Sequence, residues 1–269
     1  MTEQDFKYIA YSPDANGNIP YNREEDETWS ILYRRQLEVI KSRACRECLH
    51  GIELLGLSTS KVPQPNDVSR ELSNITGWSV EPVAALINFR DFFTLLSNRK
   101  FPAASFIRRR QDLDYLKEPD IFHEIFGHCP MLTNPDFAAF TYEIGRFGMT
   151  LEKPDLPMLA RLYWFTVEFG LIAQDGLKIY GAGILSSKSE SIYALENATP
   201  RRSEFNLIEV LRTTYRYDEI QKNYFIINSF DELFNMIDGG KLLDSFHEAR
   251  SLGLLGGEVN TVPSDIRSC

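Results

Sequence analysis

The chain has 269 residues, of which 43% are hydrophobic and 12% aromatic, so it is long enough to enclose a large core. Its 29 basic and 38 acidic side chains give a net charge of −9, which argues against nucleic acid as the main partner. No run of about 18 apolar residues is present, and the amino terminus lacks the basic and apolar regions of a signal peptide. We therefore expect a cytoplasmic protein without a membrane span.

Helical spacing dominates the first half of the chain. Apolar side chains that recur every three or four residues over 29–48 predict one amphipathic helix. Capping residues followed by apolar stretches predict two shorter helices, over 66–72 and 92–96. Residues 101–110 predict an extended or irregular segment.

The second half mixes helical and β-like stretches. Asn134 followed by Pro135 is a typical helix start, and a further helix is predicted from Met158 to Ala173. The Gly and Ser residues of 179–195 predict a loop or short strand, whereas the composition of 213–227 predicts a β-hairpin. A last short helix is predicted over 241–249.

The chain shows no internal repeat, low-complexity segment or clear linker. We expect a mainly α fold with a small β component, organised as a single domain. The predicted boundaries are an irregular N-terminal arm at 1–25, the main domain at 26–250 and a C-terminal tail at 251–269.

The pair Cys45 and Cys48, with His50 nearby, has the C-x-x-C spacing of zinc and redox sites. A structural zinc ion needs four ligands, and no second pair of this kind is present. The pair also lies within a helical pattern. We therefore interpret both cysteines as core thiols.

The most informative stretch is 120–130, which contains two of the four histidines. His123 and His128 are five residues apart, which on a regular α-helix leaves the second ring roughly 140° from the first. The zinc-protease pattern H-E-x-x-H uses a spacing of four and keeps both rings on one face. Both rings reach one metal ion here only if the helix ends or distorts, and Gly127 and Pro130 are suitably placed for that. The stretch predicts a metal site at a helix terminus; the alternative is two histidines hydrogen-bonded in a core.

Glu168 is the only charged residue in the twelve-residue stretch 162–173. An unpaired carboxylate in such an apolar helix is costly, so it must be protonated, paired with a base or bound to a metal. With His123 and His128 it would complete a two-histidine, one-carboxylate set, which suits Fe(II) and also catalytic zinc. The alternative is an ion pair between Glu168 and Arg161 or Arg146.

Three long motifs and several shorter ones resemble the catalytic domain of the pterin-dependent aromatic amino acid hydroxylases. The long motifs are residues 118–128, 163–171 and 180–187, and the shorter ones are 44–47, 77–92 and 106–108. They follow one another in the family's order over roughly residues 20 to 240. The resemblance implies the family's catalytic fold and a requirement for Fe(II) and tetrahydrobiopterin or a related tetrahydropterin.

The resemblance also implies an activity and a substrate. It implies a monooxygenase that uses O2 to convert L-phenylalanine to L-tyrosine. Trp164 and Tyr217 favour phenylalanine over tryptophan and tyrosine, which are the substrates of related enzymes. A zinc hydrolase built on the same three metal-ligand candidates is the alternative outside the family.

The family's functional residues map onto this chain position by position. The metal ligands are His123, His128 and Glu168. The pterin contacts are Phe92, Glu124 and Tyr163, although the residue pattern alone leaves open whether Glu124 faces a pocket or solvent. The substrate contacts are Arg108, Trp164 and Ser186, and no catalytic residue is expected beyond the iron ligands. Of the run 108–110, only Arg108 is expected to leave the solvated surface.

Two positions depart from the family's animal members. Leu116 stands where they have a threonine beside the substrate, and Pro102 replaces a histidine on the pterin side. The regulatory domain and the tetramerisation helix of the animal enzymes have no counterpart in this sequence. We therefore expect a monomer or weak homodimer, with phenylalanine, O2 and the tetrahydropterin as its partners.

Overall fold

The computed structural model describes residue 8 and residues 10–83, 87–114, 118–237 and 240–255. The helices are α1 (Arg23–Ile40), α2 (Arg46–Leu54), α3 (Pro65–Ile75), α4 (Phe89–Leu96), α5 (Pro135–Thr150), α6 (Leu156–Tyr163), α7 (Ala182–Leu185), α8 (Lys188–Glu196), α9 (Leu207–Arg212), α10 (Phe230–Ile237) and α11 (Lys241–Leu252). The strands are β1 (Ser79–Val83), β2 (Lys100–Ala104), β3 (Leu171–Ala173), β4 (Leu177–Ile179), β5 (Arg201–Glu204) and β6 (Asn223–Ile227). Two π-helical turns, His123–His128 and Trp164–Glu168, add to the helical content. The predicted mainly α fold with a small β component is confirmed.

Side-chain caps start the two longest helices. The Asn22 side chain accepts the backbone N–H groups of Glu24 and Glu25, and the Glu25 carboxylate accepts the N–H of Asn22 in return. Helix α1 thus begins at Arg23, so the last three residues of the predicted arm are helical. Helix α5 begins as predicted, with Asn134 accepting from the Phe137 N–H and a proline in the first turn.

The single helix predicted over 29–48 is wrong, because the chain breaks between α1 and α2. Ile179 of β4 accepts the N–H of Cys45 at 2.8 Å and donates its own N–H to Arg43 O at 2.9 Å. A strand edge thus takes up the backbone groups that a continuous helix would pair internally. Cys45 becomes the N-cap residue of α2, and it and Cys48 are buried free thiols, as expected.

In the described ranges, two sheets make up the β component. Strands β1 and β2 form a parallel pair, and a four-stranded sheet has the order β4-β3-β6-β5. Within the larger sheet β3 and β4 are antiparallel, while β6 runs parallel to both β3 and β5. The hairpin predicted over 213–227 is wrong, since only β6 is a strand and its partners are distant in sequence. The prediction for 179–195 is also wrong, because α7 and most of α8 occupy this segment.

The predicted helix 158–173 ends earlier than its apolar pattern suggested. Helix α6 passes into the π turn at Trp164, and the helical conformation ends at Glu168. Residues 171–173 form β3, an inner strand of the larger sheet, and its successive residues Leu171 and Ile172 are both buried, so both faces of the strand are apolar here. An apolar run of this length therefore did not distinguish helix from strand.

The apolar side chains of both π turns belong to the main hydrophobic core. Ile125 and Phe126 contribute from the first turn, and Phe165 and Val167 from the second. All four are at most 1% exposed, so the backbone of each turn is anchored by close packing. None of the helices in the described ranges is long and apolar enough to cross a membrane.

Candidate metal centre

The first π turn brings His123 and His128 together despite their five-residue spacing. A π-helix pairs residues five apart, and here the Cys129 N–H donates to Glu124 O at 3.3 Å. Residues five apart therefore return to nearly the same face. The two imidazole Nε2 atoms lie 3.0 Å from one another. The distortion that the spacing required is present.

The second π turn places Glu168 opposite the two histidines. The Phe169 N–H donates to Trp164 O at 2.9 Å and closes this turn. Glu168 Oε1 lies 3.0 Å from His128 Nε2, and Oε2 lies 3.6 Å from His123 Nε2. The three residues form the one group of candidate metal ligands found in the described part of the chain.

The alternative ion pairs of Glu168 are not formed. Arg161 donates to Leu211 O at 3.0 Å, and Arg146 pairs with Glu143 at 3.1 Å. Both arginines therefore have other partners, and Glu168 meets the two histidines instead.

The donor atoms fit a bound metal ion. Two ligands about 2.1 Å from one ion and at right angles to each other lie about 3.0 Å apart, close to the separations seen here. Glu168 Oε1 is buried and, although it lies 3.0 Å from His128 Nε2, it accepts no hydrogen bond among the described residues. A buried carboxylate oxygen without a partner is costly, and a cation coordinated by it would remove that cost.

Burial shifts the pKa of two of these groups toward their neutral forms. It lowers the pKa of His128 to about 3, so the imidazole is uncharged near neutral pH and can offer a lone pair. It raises the pKa of Glu168 to about 8, against the opposing effect of His123 and of a hydrogen bond from the Gly183 backbone. A divalent cation between the ligands would reverse the second shift, because its charge favours the carboxylate.

Ser186 connects His123 to α7. The Ser186 hydroxyl lies 2.8 Å from His123 Nδ1 and also 2.8 Å from Ala182 O. Gly127 allows this approach, because a Cβ there would lie 3.0 Å from Ala182 O and 3.4 Å from Ser186 Cβ. Ser186, which was predicted as a substrate contact, therefore supports a histidine of the metal site.

Arg108 forms a buried ion pair beside the first π turn. Its Nε and Nη2 each donate to Asp120 at 2.8 Å, and its backbone N–H donates at 2.9 Å. Burial alone would raise the pKa of Asp120, but the Arg108 guanidinium outweighs it, and the pKa lies below its ordinary value. Asp120 also accepts the His123 N–H at 3.2 Å. Arg109 and Arg110 are exposed, as predicted.

Asp120 was not among the predicted site residues, although a signal for it was available. It is followed directly by apolar residues in a stretch that already contained a metal-ligand candidate. Its side chain is fully buried and joins Arg108 to the start of the turn that carries His123.

The three predicted pterin contacts lie in two places. Phe92 of α4 and Tyr163 of α6 are buried and meet edge to face, with ring centroids 5.3 Å apart. Glu124 lies in the first π turn, where its carboxylate accepts the Ala104 N–H and its Oε1 is buried without a hydrogen-bond partner among the described residues. Burial raises the pKa of Glu124 well above its ordinary value, and the nearby Glu168 and Asp120 charges add to this. Glu124 thus faces the interior and not solvent.

Trp164 is held by residues that no sequence pattern indicated. Its indole N–H donates to Gln221 Oε1 at 2.9 Å. Tyr215 stacks on it with ring centroids 4.2 Å apart, and Phe169 packs against it at 4.6 Å. Of the two departures from the family, Pro102 is buried in β2, whereas Leu116 lies outside the described residues.

Comparison with known proteins gives one consistent match. The model of the family described as biopterin-dependent aromatic amino acid hydroxylase matches residues 3–239. Phenylalanine-4-hydroxylase of Pseudomonas aeruginosa is 49% identical over 92% of this chain and 94% of its own length. The apo structure of a cold-active phenylalanine hydroxylase from Colwellia psychrerythraea superimposes with a TM-score of 0.90 at 45% identity, covering 92% of this chain and 96% of that one. A Chromobacterium violaceum phenylalanine hydroxylase structure with bound oxidised Fe(III) has a TM-score of 0.85 at 43% identity, with 95% of each chain covered.

Proposed function

Since the chain belongs to the biopterin-dependent aromatic amino acid hydroxylase family, we propose that it is a phenylalanine 4-monooxygenase, which uses O2 to convert L-phenylalanine to L-tyrosine. The family depends on iron and a tetrahydropterin. The observation that supports the proposal most directly is the cluster of two histidine nitrogens and a buried carboxylate oxygen that accepts no hydrogen bond among the described residues.

His123, His128 and Glu168 would hold the iron. Together they would supply two imidazole nitrogens and one carboxylate, a donor set that suits an Fe(II) ion with positions free for other ligands. Bound there, Fe(II) and the tetrahydropterin supply the activation of O2, for which protein side chains have no equivalent. The surrounding core keeps bulk water from this centre, since all three ligands are at least nine-tenths buried.

Arg108 is proposed to bind the carboxylate of the amino acid substrate. Asp120 occupies Nε and Nη2 of the guanidinium, and the described contacts leave Nη1 without a protein hydrogen bond. A planar guanidinium fixed in this way presents donors in a defined direction, which suits carboxylate recognition. Trp164 and Ser186 are proposed to form the wall against which the aromatic ring lies.

Phe92, Tyr163 and Glu124 are proposed to bind the pterin. The two rings offer an apolar surface for a flat heterocycle. Burial raises the pKa of Glu124, which favours the protonated carboxyl, and in that form the group can both donate a hydrogen bond to a ring nitrogen and accept one.

The cellular setting and the assembly state form part of the same proposal. We place the enzyme in the cytoplasm, as a monomer or weak homodimer, and assign its activity to residues 26–250.

The proposed activity is tested by incubating the protein with Fe(II), a tetrahydropterin, O2 and L-phenylalanine and measuring L-tyrosine. We expect tyrosine formation that depends on iron and pterin. Hydroxylation of tryptophan or tyrosine in place of phenylalanine would overturn the substrate assignment. Stoichiometric zinc in the purified protein, with no iron-dependent turnover, would favour the zinc hydrolase instead.

Replacing Glu168 by alanine tests the metal ligands. We expect Glu168→Ala to fold but to lose more than about 100-fold of its iron-dependent turnover. Loss of a residue that only supports a metal ligand costs up to about 100-fold, and loss of a ligand should cost more. Circular dichroism checks the fold, and Glu53→Ala, which removes a carboxylate that is 82% exposed, is the matched control. Near-normal activity of Glu168→Ala would show that the ligand assignment is wrong.

A further inference from the structure

The loop 213–222, between α9 and β6, supplies two of the residues that contact Trp164, namely Tyr215 and Gln221. We propose that Gln221 is a positioning residue that fixes the orientation of the Trp164 indole and thereby sets the discrimination between phenylalanine and larger aromatic substrates. This inference rests on the proposed function, because it takes Trp164 as part of the substrate pocket.

The Gln221 amide uses its oxygen and nitrogen in a complementary arrangement. Its oxygen accepts the Trp164 indole N–H at 2.9 Å, while its nitrogen donates to Arg216 O at 2.8 Å and to Glu219 O at 3.0 Å. Rotating the amide by half a turn would place donor against donor and acceptor against acceptor. The network therefore defines the orientation of the amide, with its oxygen toward the indole.

This hydrogen bond is shielded from solvent at both ends. Trp164 is 5% exposed and Gln221 is 4% exposed. A buried indole N–H that loses its acceptor pays the cost of desolvation without compensation. Rotation of the ring away from Gln221 is therefore strongly disfavoured.

The loop that carries Gln221 is attached to the protein at both ends. Just before its start, Arg161 donates to the oxygen of Leu211 in the last turn of α9 at 3.0 Å. At its end, Glu190 accepts the Gln221 backbone N–H at 3.2 Å and the Tyr224 hydroxyl. Hydrogen bonds thus hold both the backbone and the side chain of Gln221 in place, so its amide oxygen can hold the indole N–H in a fixed position.

The ring contacts of Trp164 do not fix its orientation in the same way. Tyr215 lies nearly parallel to the indole, at an interplanar angle of 11°. Stacking holds a ring in its plane but depends weakly on rotation within that plane. Among the contacts described for Trp164, the hydrogen bond to Gln221 is the one that selects which edge of the indole faces the site.

The position of Trp164 in the chain connects this orientation to the reaction. Trp164 opens the π turn that ends at Glu168, so the pocket wall and a metal ligand share five residues of backbone. A change at Gln221 moves the indole without contacting any of the three metal ligands. Such a change should therefore affect which aromatic substrate binds more than it affects kcat for a substrate that is correctly bound.

The test is a double-mutant cycle with Gln221→Met and Trp164→Phe, using L-phenylalanine and L-tryptophan as substrates. We expect Gln221→Met to reduce the ratio of kcat/KM for phenylalanine to kcat/KM for tryptophan by about tenfold, the size of effect expected from losing one buried hydrogen bond. The change should arise mainly from a higher KM for phenylalanine. In the Trp164→Phe background, which has no indole N–H, Gln221→Met should leave the ratio unchanged. Gln174→Met is the matched control, because it removes another hydrogen-bonded glutamine amide outside the site.

A second readout does not depend on activity. In 15N-labelled protein, the Trp164 indole N–H signal, assigned by its loss in Trp164→Phe, should shift and exchange faster with solvent in Gln221→Met. The Trp29 indole, which donates to Ser58 O at 2.8 Å, serves as the internal reference.

Three results would overturn the positioning role: an unchanged Trp164 indole signal, an equal loss of kcat/KM for both substrates, or the same change of ratio in the Trp164→Phe background. If the wild type hydroxylates no phenylalanine, the proposed function fails on that ground alone. The indole signal then still decides whether Gln221 positions Trp164.

Discussion

At the scale of single residues, the Ser186 hydroxyl decides which nitrogen of His123 can bind a metal. A hydroxyl has one proton, and at Ser186 that proton is donated to Ala182 O. The Ser186 oxygen must then accept from the protonated Nδ1 of His123. The lone pair of His123 is left on Nε2, the nitrogen that faces His128 and Glu168.

Replacing Ser186 by alanine should therefore weaken metal binding. We expect Ser186→Ala to lower the affinity for Fe(II) or Co(II) by about 10–100-fold, because His123 loses the contact that fixes its tautomer and ring orientation. Titration of the apoprotein with Co(II) measures this, with the exposed Ser189→Ala as control. Equal affinities in both variants would mean that the serine does not select the tautomer.

Glu190 should make stability depend on pH. Burial raises the pKa of Glu190 above its ordinary value of 4.5, although hydrogen bonds from Tyr224 and Gln221 oppose this. The folded protein then holds the Glu190 proton at pH values where the unfolded chain has released it. The stabilisation is complete below pH 4.5 and is lost as the pH rises through the folded-state pKa.

Glu190→Gln removes this titration but keeps an oxygen that can accept both hydrogen bonds. We expect the free energy of unfolding of the variant, minus that of the wild type, to increase with pH above 4.5 and then level off. Urea denaturation of both proteins across this range gives the difference. A difference that falls with pH would contradict the direction of the pKa shift.

At the scale of secondary-structure elements, α4 and α5 approach so closely that one position has no room for a side chain. A Cβ at Gly145 would lie 2.5 Å from the Ser97 backbone nitrogen and 2.6 Å from Leu96 Cβ. Both neighbours belong to the end of α4 and cannot move aside independently of it. The glycine is required by this contact and not by its backbone angles.

Overpacking usually costs about 1–3 kcal/mol, so after the gain in helix propensity we expect Gly145→Ala to lower the free energy of unfolding by up to about 2 kcal/mol. The gain of about 1 kcal/mol in helix propensity offsets only part of this cost. Chemical denaturation measures the change. Glu143→Ala, on the same helix and in a surface ion pair, should change stability by less than about 1 kcal/mol. Unchanged or higher stability of Gly145→Ala would show that the end of α4 can move away from the added methyl group.

The sequence allowed helix starts to be predicted more reliably than strand pairing. Asn134 and Pro135 act within one turn, so local residues were sufficient to predict the start of α5. The hairpin prediction for 213–227 failed because β-rich composition indicates a strand but does not identify its partner. The break after α1 escaped prediction for a similar reason, since β4 lies far away in the sequence.

At the scale of the whole molecule, metal binding should couple to thermal stability. The three ligands come from two turns that are distant in sequence, so an ion that joins them binds the folded chain and not the unfolded one. A metal present at 100 times its Kd would add about 2.7 kcal/mol to the free energy of unfolding.

We therefore expect Co(II) or anaerobic Fe(II) to raise Tm by several degrees, given about 2–4 °C per kcal/mol for chains of 150–250 residues. Thermal denaturation with and without the metal measures the shift, which Glu168→Ala should abolish. An equal shift in that variant would place the metal elsewhere on the protein.

The metal ligands could be predicted from the sequence because each stands out chemically. Two histidines lie close together, and Glu168 is an isolated charge in an apolar stretch. The support of Trp164 could not be predicted, because its contact with Gln221 joins residues 57 positions apart and neither belongs to a periodic pattern. The iron, the pterin and the substrate followed from the family resemblance and not from the physical properties of the residues.

Because the metal ligands lie in two π turns, the number of residues between the ligands is as important as the identity of the ligands. An in-frame loss of the codon for Ile125 would leave His-Glu-Phe-Gly-His, the H-E-x-x-H spacing of zinc proteases. A regular α-helix would then align the rings, but every side chain on one side of the deletion would rotate by about 100° relative to the core. Insertions and deletions in these two segments should therefore be tolerated less well than point substitutions at their apolar positions.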